Sequence, residues 1–229
     1  MDVQLTSEAD RSGGPMSSPA GARADRDTQV GAHLRGASIG YAADHPVLSD
    51  VDLTVPARGV TRLGGRNGVG KSTLVEVLSG YLPVLQGEAR VLGRDPGDEA
   101  LRASRRVVRT RPALYPFMTV RDHLAVACRA RGADRSVAEE RAGLLGLDPW
   151  LDENASTLSS GTAKKAWHVL STVGEAQLYV LDEPFNAVDE AGVQVMVDEI
   201  HAWGRSAAVL VICHTVPAPL RLDHDRALG

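Results

Sequence analysis

Cysteine is nearly absent. Cys128 and Cys213 are the only two in 229 residues, and each stands in an apolar run. A disulfide framework is therefore not expected, and a reducing compartment fits. Long apolar runs are also missing. The longest, Ala207–Cys213, falls far short of the roughly 20 residues that cross a bilayer, so any service to a membrane must pass through a partner. The first ten residues, MDVQLTSEAD, lack both a basic start and an apolar stretch, and no secretory leader is expected. Nor is there an excess of positive charge: 25 Lys+Arg against 29 Asp+Glu give a net charge of −4. A general binder of phosphate backbones would be basic, so no nucleic-acid partner is expected. Lysine is scarce, with three against twenty-two arginines. What remains is ordinary: 43% apolar and 24% charged residues exclude a disordered or fibrous chain. The length suits one domain, or one domain with an insert.

Residues 1–32, rich in Ser, Gly, Ala, Asp and Arg without periodicity, read as a disordered tail. Folded texture begins near Leu34. Val47–Val55 alternates like a strand, Gly59–Leu63 reads as a second, and a glycine-rich turn over Gly64–Gly70 leads into a helix from Lys71 to Leu78, ended by Gly80 and Pro83. Gly87–Gly93 reads as a strand between glycines. From about Asp95 to Thr157 the pattern is mostly helical, clearest at Val120–Arg131 and Val137–Leu145. The short apolar runs Leu178–Leu181 and Ala208–Cys213 suit buried parallel strands, with helices at about Thr162–Val173 and Ala191–Trp203. The class is α/β with a helical insertion at about 97–161.

Two segments carry chemistry. Gly65-Arg66-Asn67-Gly68-Val69-Gly70-Lys71-Ser72 matches G-x-x-x-x-G-K-[ST] between a predicted strand and a predicted helix, the context the motif requires. Its glycines let backbone N–H groups turn in around phosphate oxygens, and the helix start adds favourable dipole charge. Lys71 reaches the β- and γ-phosphates and Ser72 suits Mg²⁺. In a chain so poor in lysine, a lysine here selects a compact point charge over an arginine fork. The second segment is Leu178–Leu181 followed by Asp182 and Glu183. The C-terminal end of a buried parallel strand faces the ligand crevice, so Asp182 suits Mg²⁺ and Glu183 the attacking water.

With these residues the chain resembles an ATP-binding cassette (ABC) ATPase from about Leu34 to its C-terminus. The resemblance implies a P-loop NTPase fold with a parallel core sheet, a small antiparallel β subdomain and a helical insertion in domain 33–229. It implies that Tyr41 stacks on adenine and that Thr73 touches the α-phosphate. Leu158-Ser159-Ser160-Gly161-Thr162 resembles the LSGGQ signature, which binds the ATP held by the other cassette of a dimer. Asn186-Ala187-Val188-Asp189 resembles the loop that links the two sites, and His214 the switch histidine at the γ-phosphate. The implied cofactors are ATP and Mg²⁺. The implied partners are a membrane-spanning permease subunit and a second ABC cassette, the same or different, which places the chain in the cytoplasm, peripheral on the membrane's cytoplasmic face. The run Pro184–Asp189 also looks somewhat like the haem-exporter ATPases.

The chain departs from the family pattern. Thr110 stands where a Gln that touches the metal or water is usual, His214 is followed by Thr215 rather than Asp, and the chain ends at Gly229, so the last family strands are expected to be trimmed. Arg102, Arg105, Arg106, Arg109 and Arg111 read as a solvated face or as contact with an acidic partner or anionic lipid. Tyr115-Pro116-Phe117-Met118 reads as a surface loop whose Phe117 either docks the permease or plugs the subdomain core. The alternatives to a transport ATPase are an ABC-type ATPase acting on ribosomes or DNA, and a regulatory cassette with reduced hydrolysis.

Overall fold

The computed structural model describes residues 30–228. The tail expected over 1–32 falls outside them as far as residue 29. Strand β1 (Val30–Ile39) already begins at Val30, ahead of the expected boundary at 33.

Two sheets share one core. β1 is the middle of a three-stranded antiparallel sheet between β2 (Leu48–Pro56) and β4 (Gln86–Val91). The second sheet is parallel throughout, in the order β5 (Arg105–Val108), β6 (Leu178–Asp182), β7 (Ala208–Ile212), β3 (Gly59–Gly65), β8 (His224–Leu228). Every residue of β6 and β7 is buried, which is why each reads as a continuous apolar run rather than an alternating one. Helix α1 (Lys71–Leu78) leaves β3 and packs Leu74, Val75, Val77 and Leu78 into the cluster shared by both sheets.

A second cluster belongs to the helical region. The short helix α2 (Leu101–Ser104) precedes β5, and α3 (Val120–Arg131) and α4 (Arg135–Leu144) pack on α5 (Ser160–Thr172) through Leu124, Cys128, Ala138, Ala142 and Val169. Helix α6 (Glu190–Gly204) closes the other face of the parallel sheet with Val197 and Ile200.

Four expectations are corrected here. Arg105–Val108 is an edge strand of the core sheet, so the helical region begins later than 97. The C-terminal residues are not trimmed of strand: His224–Leu228 is β8, paired along β3. The arginine cluster is not mainly a solvated face. Arg106 is buried and donates to the carbonyls of Val173, Ala103 and Glu175. Arg105 donates to those of Leu78, Ser79 and Pro96, which satisfies the C-terminal carbonyls of α1. Arg109 pairs with Glu76, and only Arg102 and Arg111 of the five are exposed. Phe117 does not plug the subdomain core: it is 89% exposed.

Candidate functional site

Strand β3 delivers Gly64–Gly70 to the C-terminal edge of the parallel sheet. Gly65, Gly68 and Gly70 have φ of 150°, 82° and 106°, a region that costs other residues steric energy. The loop is also closely walled: a Cβ on Gly70 would stand 2.8 Å from Leu48 Cγ. Helix α1 then starts with Gly70 as its N-cap, with no side-chain cap and no acidic residue in its first turn. Helices α3 to α6 are capped by Thr119, Asp134, Ser159 and Asp189. The open start of α1 leaves its N–H groups to an anion. Lys71 is 8% exposed and its Nζ donates to the carbonyls of Gly65 (2.7 Å) and Arg66 (3.0 Å), across the mouth of the loop. Arg66 and Asn67 are exposed at its rim, Val69 is half-buried, Ser72 is exposed and Thr73 is buried in the first turn of α1.

Asp182 ends β6, 4% exposed. Its Oδ2 accepts from Thr110 Oγ1 at 2.5 Å and, at the long distance of 3.4 Å, from Ser72 Oγ. Glu183 follows with φ +47°, left-handed and rare for a long side chain, a strain on the order of 1–3 kcal/mol that the surroundings must hold. Its N–H is tied to the Ile212 carbonyl at the end of β7 (2.8 Å). His214, two residues beyond β7, is exposed, and its carbonyl accepts from Arg62 at 3.0 Å. Tyr41, 72% exposed, lies in the loop between β1 and β2, closed by Val47 N–H to Ile39 O; Val47 and Leu48 touch the Gly70 position.

The Leu158–Thr162 segment is built separately. Ser159 caps α5, accepting from Thr162 N–H at 3.1 Å, while Ser160 is exposed. A Cβ on Gly161 would meet the Ala187 carbonyl at 2.4 Å, so only glycine allows the 186–189 loop this close. Asp189 caps α6 and pairs with Lys165 Nζ at 3.0 Å, which holds its carboxyl below the usual range. Among the described residues no hydrogen bond joins Leu158–Thr162 to the Gly65–Thr73 loop. One chain thus brings Gly65–Thr73, Asp182 and the Val47–Leu48 end of the Tyr41 loop into contact, with Glu183 and His214 just past the ends of β6 and β7, while the side-chain hydrogen bonds of Ser159–Thr162 stay within its own helix start.

Sequence reasoning missed Lys164. It is 4% exposed, and its Nζ donates to the Thr110 carbonyl at 2.6 Å. Burial pushes its pKa down, against the pull of the Asp182 and Glu183 carboxylates. The signal was available: of three lysines, Lys71, Lys164 and Lys165, all stand at these two segments.

Such an edge suits a nucleoside triphosphate and a hard divalent cation. Comparison with known proteins finds ATP-binding proteins of transport systems. The family model described as ABC transporter matches residues 48–186. The zinc transport system ATP-binding protein TroB of Treponema pallidum is 33% identical over 74% of this chain and 67% of its own. The zinc import ATP-binding protein ZnuC of Paracoccus denitrificans is 33% identical over 83% and 72%, and an aliphatic sulfonates import ATP-binding protein of Frankia alni 34% over 80% and 71%. The solved structure of an ATP-binding subunit of an ABC transporter superposes with a TM-score of 0.72 at 27% identity, covering 80% of this chain and 79% of that one.

Proposed function

Because the chain belongs to the ABC transporter family, as an ATP-binding and ATP-hydrolysing subunit that energises a separate permease, we propose the following division of labour. Gly65–Thr73 cradles the triphosphate, with Lys71 released from the Gly65 and Arg66 carbonyls to the β- and γ-phosphates. Tyr41 stacks on the adenine. Ser72 and Asp182 hold Mg²⁺: a hydroxyl and a carboxylate converging in one place are the hard-oxygen donors that ion takes. Bound there, the ion neutralises charge on the phosphate oxygens. Glu183 orients and deprotonates the attacking water, fixed by its bond to Ile212. His214 senses the γ-phosphate.

Leu158, Ser159, Ser160, Gly161 and Thr162 present the start of α5, where the Ser159 hydroxyl already holds the Thr162 N–H, to the nucleotide of a second cassette, and Asp189 and its loop report that contact. The single observation that carries this reading is that, among the described residues, no hydrogen bond joins the Leu158–Thr162 segment to the Gly65–Thr73 loop of the same chain. A second cassette, identical or different, supplies the missing half. No helix among the described residues is long and apolar enough to cross a membrane, so attachment to the cytoplasmic face runs through the permease, with exposed Tyr115 and Phe117 as the docking loop. The relatives quoted are named as transport or import proteins, and we assign import here as well. Their cargoes differ, and none is carried over.

Light scattering tests the assembly. With Glu183→Gln the chain should be monomeric without nucleotide and pair when MgATP is added. A stable pair without nucleotide, or a strictly monomeric ATP-bound chain in the presence of its natural partner cassette, would overturn it.

A further inference from the structure

Residues 109–110 lie just past β5, whose register pairs Val108 with Leu181 and so brings Thr110 alongside Asp182. The segment is bolted from two sides. Helix α1 holds Arg109 through Glu76 and through Ser79 Oγ (3.2 Å). Helix α5 holds the Arg109 carbonyl through Trp167 Nε1 (3.2 Å) and the Thr110 carbonyl through Lys164 Nζ (2.6 Å). What this fixed backbone presents is the Thr110 hydroxyl, on the same Asp182 oxygen that Ser72 approaches, and closer to it. A hydroxyl has one proton to donate and two lone pairs, so a group that donates to the carboxylate here can turn an oxygen to a cation seated beside it. In a chain that uses arginine almost everywhere, a lysine at 164 puts a compact point charge on the Thr110 carbonyl in a buried slot, where a five-donor fork would leave more donors unpaired.

We propose that Thr110 is an oxygen contact of the cation site, with Ser72 and Asp182, and that Lys164 is the positioning residue that holds it there. The inference rests on the nucleotide-site reading above. Compared with the longer Gln usual at this position, the hydroxyl is shorter in reach, and the backbone carrying it is tied in place instead.

The test uses the full chain, an ATP analogue that resists hydrolysis, and Mn²⁺ followed by its paramagnetic resonance signal. Thr110→Val should weaken Mn²⁺ binding to the chain–nucleotide complex about tenfold, the lower end of what lost supporting contacts cost metal sites. Thr110→Ser, which keeps the hydroxyl, should stay close to wild type, and Lys164→Met should fall between them. Nucleotide affinity measured in a metal chelator should be the same in all four proteins. Wild-type Mn²⁺ affinity in Thr110→Val overturns the role of Thr110, as does Thr110→Ser behaving like Thr110→Val. Unchanged affinity in Lys164→Met overturns the role of Lys164. A wild-type chain that binds no nucleotide in chelator is a different failure, and it removes the underlying reading.

Discussion

The two ends of α5 sit in opposite kinds of chemistry. Its first turns carry Ser159–Thr162 exposed or half-buried, and Lys164 beside carboxylates poised for a ligand. Its last turns are sealed. His168 is fully buried and its Nε2 lies 2.8 Å from Glu199 on α6. Arg141 of α4 donates from Nε to the same carboxylate at 2.6 Å and from Nη2 to Thr172 Oγ1 at 2.8 Å. Trp203 stacks between His168 and Tyr179. Here polar groups are spent on one another and tie three helices together. At the other end Ser159 and Ser160 are exposed, and buried Lys164 reaches the segment beside Asp182 and the strained Glu183. The contrast separates residues whose loss costs chemistry from those whose loss costs the fold.

The largest break in that contrast is Glu183→Gln. It should lower ATP turnover by about 10²–10⁴-fold, the range for a lost general base, while leaving nucleotide affinity and melting temperature near wild type. A phosphate-release assay with the permease present, beside a nucleotide titration and a thermal melt, checks all three. A turnover equal to wild type assigns the water to another group.

Glu199→Gln should do the reverse. Burial pushes the Glu199 carboxyl up, but the hydrogen bonds and charges of His168 and Arg141 outweigh it and lower its pKa from 4.5 to about 2. A depressed carboxylate contributes stability that is full above the unfolded pKa and is lost as pH falls through the folded one. The window is therefore about pH 4.5 down to 2, and the contribution about 3 kcal/mol. Glu199→Gln should lower the melting temperature at neutral pH by about 6–12 °C and flatten the loss of stability in that window. Denaturant titrations of both proteins at several pH values between 2 and 7 measure it. Equal slopes would show that the network is not what acid attacks.

Legibility followed the same divide. The Lys71 loop and the Asp182–Glu183 strand end were readable because each pairs a short motif with a strand or helix that periodicity reveals. β5 was not, because Arg105-Arg106-Val107-Val108 offers only four residues, and its arginines look like a helix surface although their heads bond carbonyls inside. β8 has a charged His-Asp-Arg start that resembles a tail; it is an edge strand whose exposed residues need no apolar pattern. The sealed network was invisible, since its members come from three helices far apart in sequence.

Gly161→Ala probes the boundary between the two chemistries. The added carbon would press on a backbone carbonyl, that of Ala187, so the 186–189 loop must move. The cost of such overpacking is about 1–3 kcal/mol, and its functional reading is a weaker ATP-driven pairing in the Glu183→Gln background. Undiminished pairing by light scattering would mean that the loop yields without disturbing the face proposed for a second cassette.

The smallest effect on the fold should come from Phe117→Ala. An aromatic ring 89% exposed beside an exposed Tyr115 contributes little to the packing of this chain, so the melting temperature should change by no more than a degree or two. A loop that displays two aromatic rings to water is, however, what a partner's short helix would cover, and a buried aromatic anchor is where docking energy concentrates. Losing it should weaken association with the permease by about 1–3 kcal/mol, on the order of 5- to 150-fold. Nucleotide affinity should not change, because the site gathers around the Lys71 loop and this one stands at the start of α3. Co-purification with the permease and a nucleotide titration on the same variant separate the outcomes. Full retention of the permease would place the docking surface elsewhere, and the exposed Tyr81, with the half-buried Arg109 guanidinium over its ring at 4.8 Å near the end of α1, would be the next anchor to remove.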